Sequence, residues 1–385
     1  MDFSLTLEQD QFQQRIRRFL QVELAPLVEE IESANQFPIR FYKHLAANKL
    51  LGINFPKEYG GQEADCMTCA LLIEEMSKYS SGVAGCVTTA GMTSPFLLLL
   101  SGTKEQKERY LHGVATGETI AAFAITEPNA GSDVTKLSTH AVTEGNFYKI
   151  SGTKTFITNG SVANIFLVVA RTGDQEKRFS VFLIERGTPG FSVSKKFDKL
   201  GWASQDTTEI SLDDVIVPKE NLVGPEGGGL SRAFSSINFT RILMASTALG
   251  VAESTLDHAL KYAREKEQMG KPLTKQQGIR SELSKMAVEV EAARLLVYRA
   301  AWMYDRGLRN RKETAIAKYY ATEMAKRITK EVLRLHGLDG FTNKHQAAIF
   351  FSDAPVFTIA DGTSEIQLEN ISRELGLLES GGMGS

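Results

Sequence analysis

The chain has 385 residues, more than one ordinary core holds, so two or three domains are expected. Apolar residues make up 42% and charged residues 23%, as in a globular protein, and a formal net charge of −2 argues against a broad nucleic-acid or anionic-membrane footprint. No N-terminal stretch joins a basic segment to an apolar one, and the longest apolar run, near Pro95 to Leu100, is too short to span a bilayer. A cytoplasmic protein without a membrane partner is the expectation.

From the N-terminus, Thr6-Leu-Glu-Gln9 has the form of a capping box, and apolar residues at helical intervals follow from Phe12 through Leu27. Helical patterns return at Pro38 to Leu51, Cys66 to Tyr79, Gly82 to Ser101 and Lys104 to Val114. Residues 1–118 therefore read as a helical domain. Its three cysteines make no disulfide framework, and Cys66-Met-Thr-Cys69 reads as helix packing because no second pair follows. The six histidines show no ligand spacing, so no protein metal site is expected.

From Ile120 the pattern changes to short β-rich runs bounded by turn residues, including Phe147 to Ile150, Ile165 to Ala170, Ser180 to Ile184 and Thr208 to Leu212. That spacing predicts an all-β sandwich or barrel over residues 119–228. Gly224-Pro-Glu-Gly-Gly-Gly229 closes it as a hinge and helix entry; it lacks the G-K-[ST] of a P-loop. Long amphipathic helices at Leu230 to Arg264, Lys275 to Arg306, Lys312 to His336 and Ser364 to Leu378 predict a four-helix bundle over 229–378, with a flexible tail over 379–385. The fold class is α+β and multidomain.

Three segments carry chemistry. Ala124-Ile-Thr-Glu-Pro-Asn-Ala-Gly-Ser-Asp133 follows an apolar run and offers backbone amides and hydroxyls to an anion. Gly152-Thr-Lys-Thr-Phe-Ile-Thr-Asn-Gly160 and Ile359-Ala-Asp-Gly-Thr-Ser-Glu-Ile366 follow in order. In that order and at those separations they resemble the acyl-CoA dehydrogenase family of FAD-dependent flavoproteins, and the resemblance runs from about Phe3 to Leu378. It implies FAD as cofactor, an acyl thioester of CoA or an acyl carrier protein as substrate, an electron-transfer flavoprotein as partner, and a homotetramer.

By the same resemblance, Phe123, Ile125 and Thr126 line the flavin, Ser132 touches its pyrophosphate or the substrate, Phe156 stands beside the ring and Thr158 reaches N5. The family completes the FAD site from a neighbouring subunit. The matching positions here are Lys266, Gln268 and Met269, with Lys266 in place of an arginine and Met269 in place of a ring, and Arg334 and Gly337, where Arg334 stands beside a lost glutamine. Thr363 and Glu365 approach the FAD, Arg241 lies beneath the flavin and base loop, Asn238 contacts pantetheine, and Gly362 lends its amide to the thioester carbonyl.

Asp361 stands where the family usually has its glutamate base, and Thr240 occupies the alternative base position on a helix. The resemblance thus implies α-proton abstraction by Asp361 and β-hydride transfer to flavin N5, giving a 2-enoyl thioester. Three alternatives stay open: Asp361 as only a helix N-cap, a same-fold flavin oxidase using the aspartate on another acidic carbon, as nitroalkane oxidases do, and a catalytically silent paralogue.

Overall fold

The computed structural model describes residues 4–173, 178–342 and 345–377. The first three residues, Leu378 and the tail from Glu379 lie outside the described residues. Thr6 opens α1 (Leu7–Glu23) as a capping box: its hydroxyl accepts from the Gln9 amide and its own amide donates to Gln9 Oε1. Pro26 then turns the chain in a short 3-10 segment (Ala25–Leu27) ahead of α2 (Val28–Ala34), so the helix expected through Leu27 is α-helical only as far as Glu23. α3 (Ile39–Ala47) follows Pro38, and α4 (Cys66–Ser77) is buried on every face. Burial pushes the Cys66 and Cys69 thiols well up, away from the thiolate that redox or metal chemistry needs.

The helix expected over Gly82 to Ser101 is α5 (Ser81–Thr88), a π-helical turn (Thr89–Thr93) and α6 (Ser94–Ser101). Taken together these 21 residues are longer than the apolar run read from the sequence, and their mean hydropathy of 1.6 matches a membrane helix by length and composition. They are packed inside the protein, with 83% of the window buried. α7 (Lys104–Ala115) ends the helical region.

The β region forms one eight-stranded sheet: β1 (Ala121–Ala124), β2 (His140–Glu144), β3 (Phe147–Thr158), β4 (Ile165–Thr172), β5 (Phe179–Glu185), β6 (Phe191–Lys196), β7 (Thr207–Pro218) and β8 (Leu222–Val223). The order is β6-β7-β3-β2-β4-β5-β8, with β1 added parallel to β4. Both faces of β4 and β5 are covered. Phe166, Val168, Phe182 and Ile184 join the main core, while Leu167, Val169, Val181 and Leu183 join a second core with Leu97, Leu98 and Leu111. Continuous apolar runs, rather than alternation, follow from that double cover.

α8 (Gly229–Glu265) leads through a small hairpin, β9 (Glu267–Gln268) and β10 (Lys271–Pro272), to α9 (Gln277–Asp305), α10 (Arg311–Gly340), α11 (Gln346–Phe357) and α12 (Ser364–Glu374). The C-terminal region therefore holds five helices among the described residues, one more than the expected bundle. α11 was hidden because Ala347-Ala-Ile-Phe-Phe is apolar without a clear period and Pro355 sits within the helix.

α11 also locks the regions together. Asp353 accepts from Ser81 Oγ at 2.5 Å and from the Trp202 amide at 2.6 Å, so one carboxylate ties α5, the β6–β7 loop and α11. Gly201 lies so close to α11 that a Cβ there would meet the Ser352 carbonyl at 2.2 Å. At the other end of the N-terminal region, Asp305 accepts from the amides of Cys66 and Met67, the first turn of α4.

Candidate active site

The first motif begins where β1 ends. Glu127 and Ala130 exchange both backbone hydrogen bonds across a tight turn, so their amides are spent inside it. The amides of Gly131, Ser132 and Asp133 beyond the turn donate to nothing among the described residues, and Ser132 is exposed. Beneath the turn lies a buried ion pair. Lys154 Nζ, on β3, donates to Glu127 Oε1 at 2.8 Å and to the Ile125 carbonyl at 3.0 Å, and the two side chains are 0% and 2% exposed.

Glu127 also accepts from Ser138 N, Ser138 Oγ and Thr139 N. Burial pushes this carboxyl up, but Lys154 and the other donors outweigh it and hold it at about 2. At the ammonium burial outweighs the single carboxylate and brings Lys154 down to about 8. Both groups are charged at neutral pH. The pair was not read from the sequence, although Glu127 and Lys154 stand inside the quoted motifs; a lysine among β-branched strand residues was the available signal.

The second motif is joined to the first by a hydrogen bond from the Thr155 amide to the Thr126 carbonyl at 2.9 Å. Where β3 and β7 slip register, between Lys154 and Ile157, Phe156 takes φ = 57°. This left-handed value is unusual for an aromatic residue, and the bulge re-aims the side chain. Phe156 is 61% exposed and stacks on Phe197 with ring centroids 4.8 Å apart. Phe123, Ile125 and, from the start of α8, Leu230 all pack against the second core. The hydroxyls of Thr126, Ser132 and Thr158 have no partner among the described residues.

The third motif is a loop held by cations. Asp361 and Gly362 both take left-handed φ, 56° and 95°. Arg241 Nε, from α8, donates to the Asp361 carbonyl at 3.0 Å, and Lys318 Nζ, from α10, donates to the Gly362 carbonyl at 2.7 Å. Gln367 Nε2 donates to both carbonyls, at 3.4 and 2.9 Å. With the carbonyls turned inward, the amides of Asp361, Gly362 and Thr363 donate to nothing among the described residues. Burial pushes the Asp361 carboxyl up, opposed by Lys318 and Arg241.

Asp361 is not the cap of α12. Thr363 is, its hydroxyl accepting from the Ile366 amide. Glu365 is exposed in the first turn, Asn238 Nδ2 donates to Asn310 at 3.1 Å, and the Thr240 hydroxyl is bonded back to the Ser236 carbonyl. Lys318 was missed because a single lysine on an amphipathic helix reads as solvated. Its neighbours Ala315, Ala317 and Ala321 mark a buried face and were the available signal.

The remaining positions lie elsewhere. Lys266 is 25 residues beyond Arg241 along α8, about 37 Å at 1.5 Å per residue. There Lys266, Gln268 and Gly337 line one depression together with Tyr262, His336 and Asp339. Lys266 pairs with Asp339 at 3.2 Å, and Met269 is 97% exposed. Arg334 is not brought to this depression: it pairs with Glu331 beside Ile279 and Met286, so it does not stand in for the missing guanidinium within one chain. Gly337, at φ = 60° and ψ = −139°, kinks α10 here.

The chemistry of these groups fits a flavin. Unpaired hydroxyls and amides suit its polar edge and pyrophosphate, and the Phe156 and Phe197 pair suits a planar ring. The family models of the acyl-CoA dehydrogenase N-terminal, middle and C-terminal domains match residues 6–118, 122–215 and 227–376. A short-chain-specific acyl-CoA dehydrogenase of Clostridium acetobutylicum is 40% identical over 379 residues, covering 97% of this chain and 100% of that one. A caffeyl-CoA reductase–Etf complex subunit of Acetobacterium woodii is 36% identical, covering 92% and 95%. The structure of butyryl-CoA dehydrogenase from Megasphaera elsdenii superposes with a TM-score of 0.94 at 36% identity, covering 97% and 100%. The chain belongs to the acyl-CoA dehydrogenase family and is an FAD-dependent oxidoreductase.

Proposed function

We propose that this member of the family removes the α-proton of an acyl thioester with the Asp361 carboxylate, as the β-hydride leaves, giving a 2-enoyl thioester. The observation that supports this reading best is the base loop. One partly buried carboxylate stands beside three unpaired amides, and their carbonyls are held away by Arg241, Lys318 and Gln367. Deprotonating a thioester needs donors where charge grows on its oxygen and a base within reach of the α-carbon. Bound FAD supplies the hydride acceptor at N5. Thr126 and Thr158 would hold its ring, Phe156 would cover it, and Ser132 would meet the pyrophosphate or the substrate. Asn238 would contact the pantetheine arm of CoA or an acyl carrier protein.

An electron-transfer flavoprotein is the acceptor we favour, in keeping with the Etf-complex subunit among the relatives. The shorter base supports one other reading, a flavin oxidase of the same fold working on a different acidic carbon. Turnover with each acceptor separates them. We expect rapid electron transfer to an electron-transfer flavoprotein and slow reaction with oxygen; fast peroxide-forming turnover of a nitroalkane would support the oxidase instead.

We further propose a cytoplasmic homotetramer. Lys266, at the far end of α8, lines one depression with Gln268 and Gly337, too far from Arg241 for these residues to meet the flavin groups of their own chain, and a second copy would bring them there. Val288, Leu295 and Trp302 form an exposed apolar stripe at seven-residue intervals on α9, a face suited to helix packing between copies. Sedimentation of the purified protein should give a tetramer with about one FAD per chain. A stable, active, FAD-loaded monomer would contradict this.

A further inference from the structure

We propose that Lys318 is a positioning residue for the reaction: wholly buried beneath the base loop, its ammonium pins the Gly362 carbonyl and sets a positive charge under the loop that presents the Asp361 carboxylate. This rests on the reading of Asp361 as the base.

A lysine is almost never fully buried without a carboxylate partner, because removing the ammonium from water is costly. Lys318 is 0% exposed, yet no carboxylate lies within ion-pair distance of it among the described residues. Its one hydrogen bond goes to a carbonyl, which an uncharged glutamine could satisfy as well. The positive charge therefore needs another reason.

Four charged groups face Lys318. Glu323, on its own helix, is occupied by Lys326 and by Ser364 Oγ at 2.6 Å each. Glu365, on α12, is exposed to solvent, which screens it. Arg241, from α8, carries like charge and spends its Nε on the Asp361 carbonyl. That leaves Asp361, on the loop Lys318 holds, as the carboxylate with most to gain from the ammonium.

Two cations thus converge on consecutive carbonyls of a two-residue left-handed segment. Left alone, such a segment is an uncommon backbone conformation outside glycine and is free to flip. Held by both, its carbonyls are fixed, and the two positive charges oppose the burial that pushes the Asp361 carboxyl up. Lys318 also sits low, brought to about 8 by burial, with Asp361 pulling the other way. The ammonium is kept in spite of that loss, as a local charge with work to do at Asp361 would be.

The test uses FAD-loaded tetramer carrying Lys318→Gln or Lys318→Met, each reduced anaerobically by the member of a straight-chain acyl-CoA panel that reduces the wild type fastest. Glutamine keeps a donor for Gly362 and removes the charge; methionine removes both. In both variants the acid limb of the reduction rate should move up by about one pH unit or more, because an opposite charge nearby lowers a carboxyl by one to three units. Below that limb the rate should fall about tenfold. Lys318→Gln should keep wild-type FAD content and acyl-CoA affinity, while Lys318→Met should bind acyl-CoA more weakly. If methionine prevents folding, the glutamine variant carries the test alone. An unmoved acid limb in Lys318→Gln overturns the proposal. Asp361→Asn assayed alongside separates the two claims: if it is inactive while Lys318→Gln has the wild-type limb, only the role of Lys318 fails, and if it bleaches at the wild-type rate, the base assignment fails and takes Lys318 with it.

Discussion

Asp361→Asn is expected to keep the fold and the FAD and to lose at least ~10²-fold in the rate of flavin reduction by acyl-CoA, the ordinary scale for removing a general base. The amide is nearly isosteric, and asparagine tolerates the left-handed φ of 56° that position 361 requires. The backbone carbonyl that Arg241 and Gln367 hold is untouched, so the loop should stay where it is. Only the proton acceptor is removed. Thr240, at the alternative base position, is bonded to its own helix and cannot replace it. Asp361→Glu then asks what the short base is for. If a simple acyl chain is desaturated, glutamate should retain or raise activity, since a misplacement of ~1 Å is worth about a hundredfold. If the pocket is built around aspartate for a bulkier or differently placed acidic carbon, the added methylene should crowd it and depress turnover of the true substrate. Rapid-mixing absorbance of the flavin measures both variants.

Lys154→Met is expected to be among the most destabilising single changes in the chain. It strands the Glu127 carboxylate, 2% exposed, without its counter-charge, and breaking a buried pair from one side typically costs about 3–5 kcal/mol. Thermal unfolding should fall by roughly 4–6 °C, at about 1.2 °C per kcal/mol for an unfolding entropy of ~2.1 cal/mol/K per residue over a chain of this length. The Ile125 carbonyl loses its donor as well, so the loop carrying Thr126 should loosen and FAD should dissociate more readily.

The pH dependence follows from the same pair. Glu127 sits at about 2 in the fold against an ordinary 4.5, so the folded protein binds fewer protons than the unfolded chain between those values. Its contribution is present above about 4.5 and is lost as acid takes the carboxyl down through 2. Without Lys154 the carboxyl titrates higher, and acid unfolding should begin at higher pH. A Lys154→Met protein with wild-type melting and wild-type acid tolerance would show that the pair does not hold the loop.

Much of the architecture was legible because it rests on local rules. Thr6 and Gln9 form the capping box their spacing implies, the glycine cluster before Leu230 opens the long helix, and the β-rich runs all fall within one sheet. The site is legible only in part, because its motifs are local and its supports are not. Asp361, Gly362 and Thr363 lie together in sequence, but the cations that bond their carbonyls come from 120 and 44 positions away, where Arg241 and Lys318 sit on separate helices. Nothing in Ala315-Ile-Ala-Lys318 says which carbonyl a lysine will meet. The bulge that gives Phe156 its left-handed φ is likewise set by β7, a partner strand 50 residues on, and not by the motif itself. α11 escaped because a short apolar helix with an internal proline has no pattern to separate it from a buried strand or loop. Lys266 and Arg334 both stand at positions that complete the FAD site in the resembled family, but they face different depressions once α10 is folded, a separation that no linear spacing shows.

The central claim is that Asp361 takes an α-proton from an acyl thioester while the flavin takes the β-hydride. Anaerobic titration of the purified protein with a panel of acyl-CoAs, following the flavin absorbance and identifying the product, tests it most directly. The account predicts that at least one acyl-CoA bleaches the flavin at about one equivalent per FAD and is recovered as its 2-enoyl-CoA. A flavin that stays oxidised with every acyl-CoA and bleaches instead with a nitroalkane or another carbon acid would contradict it.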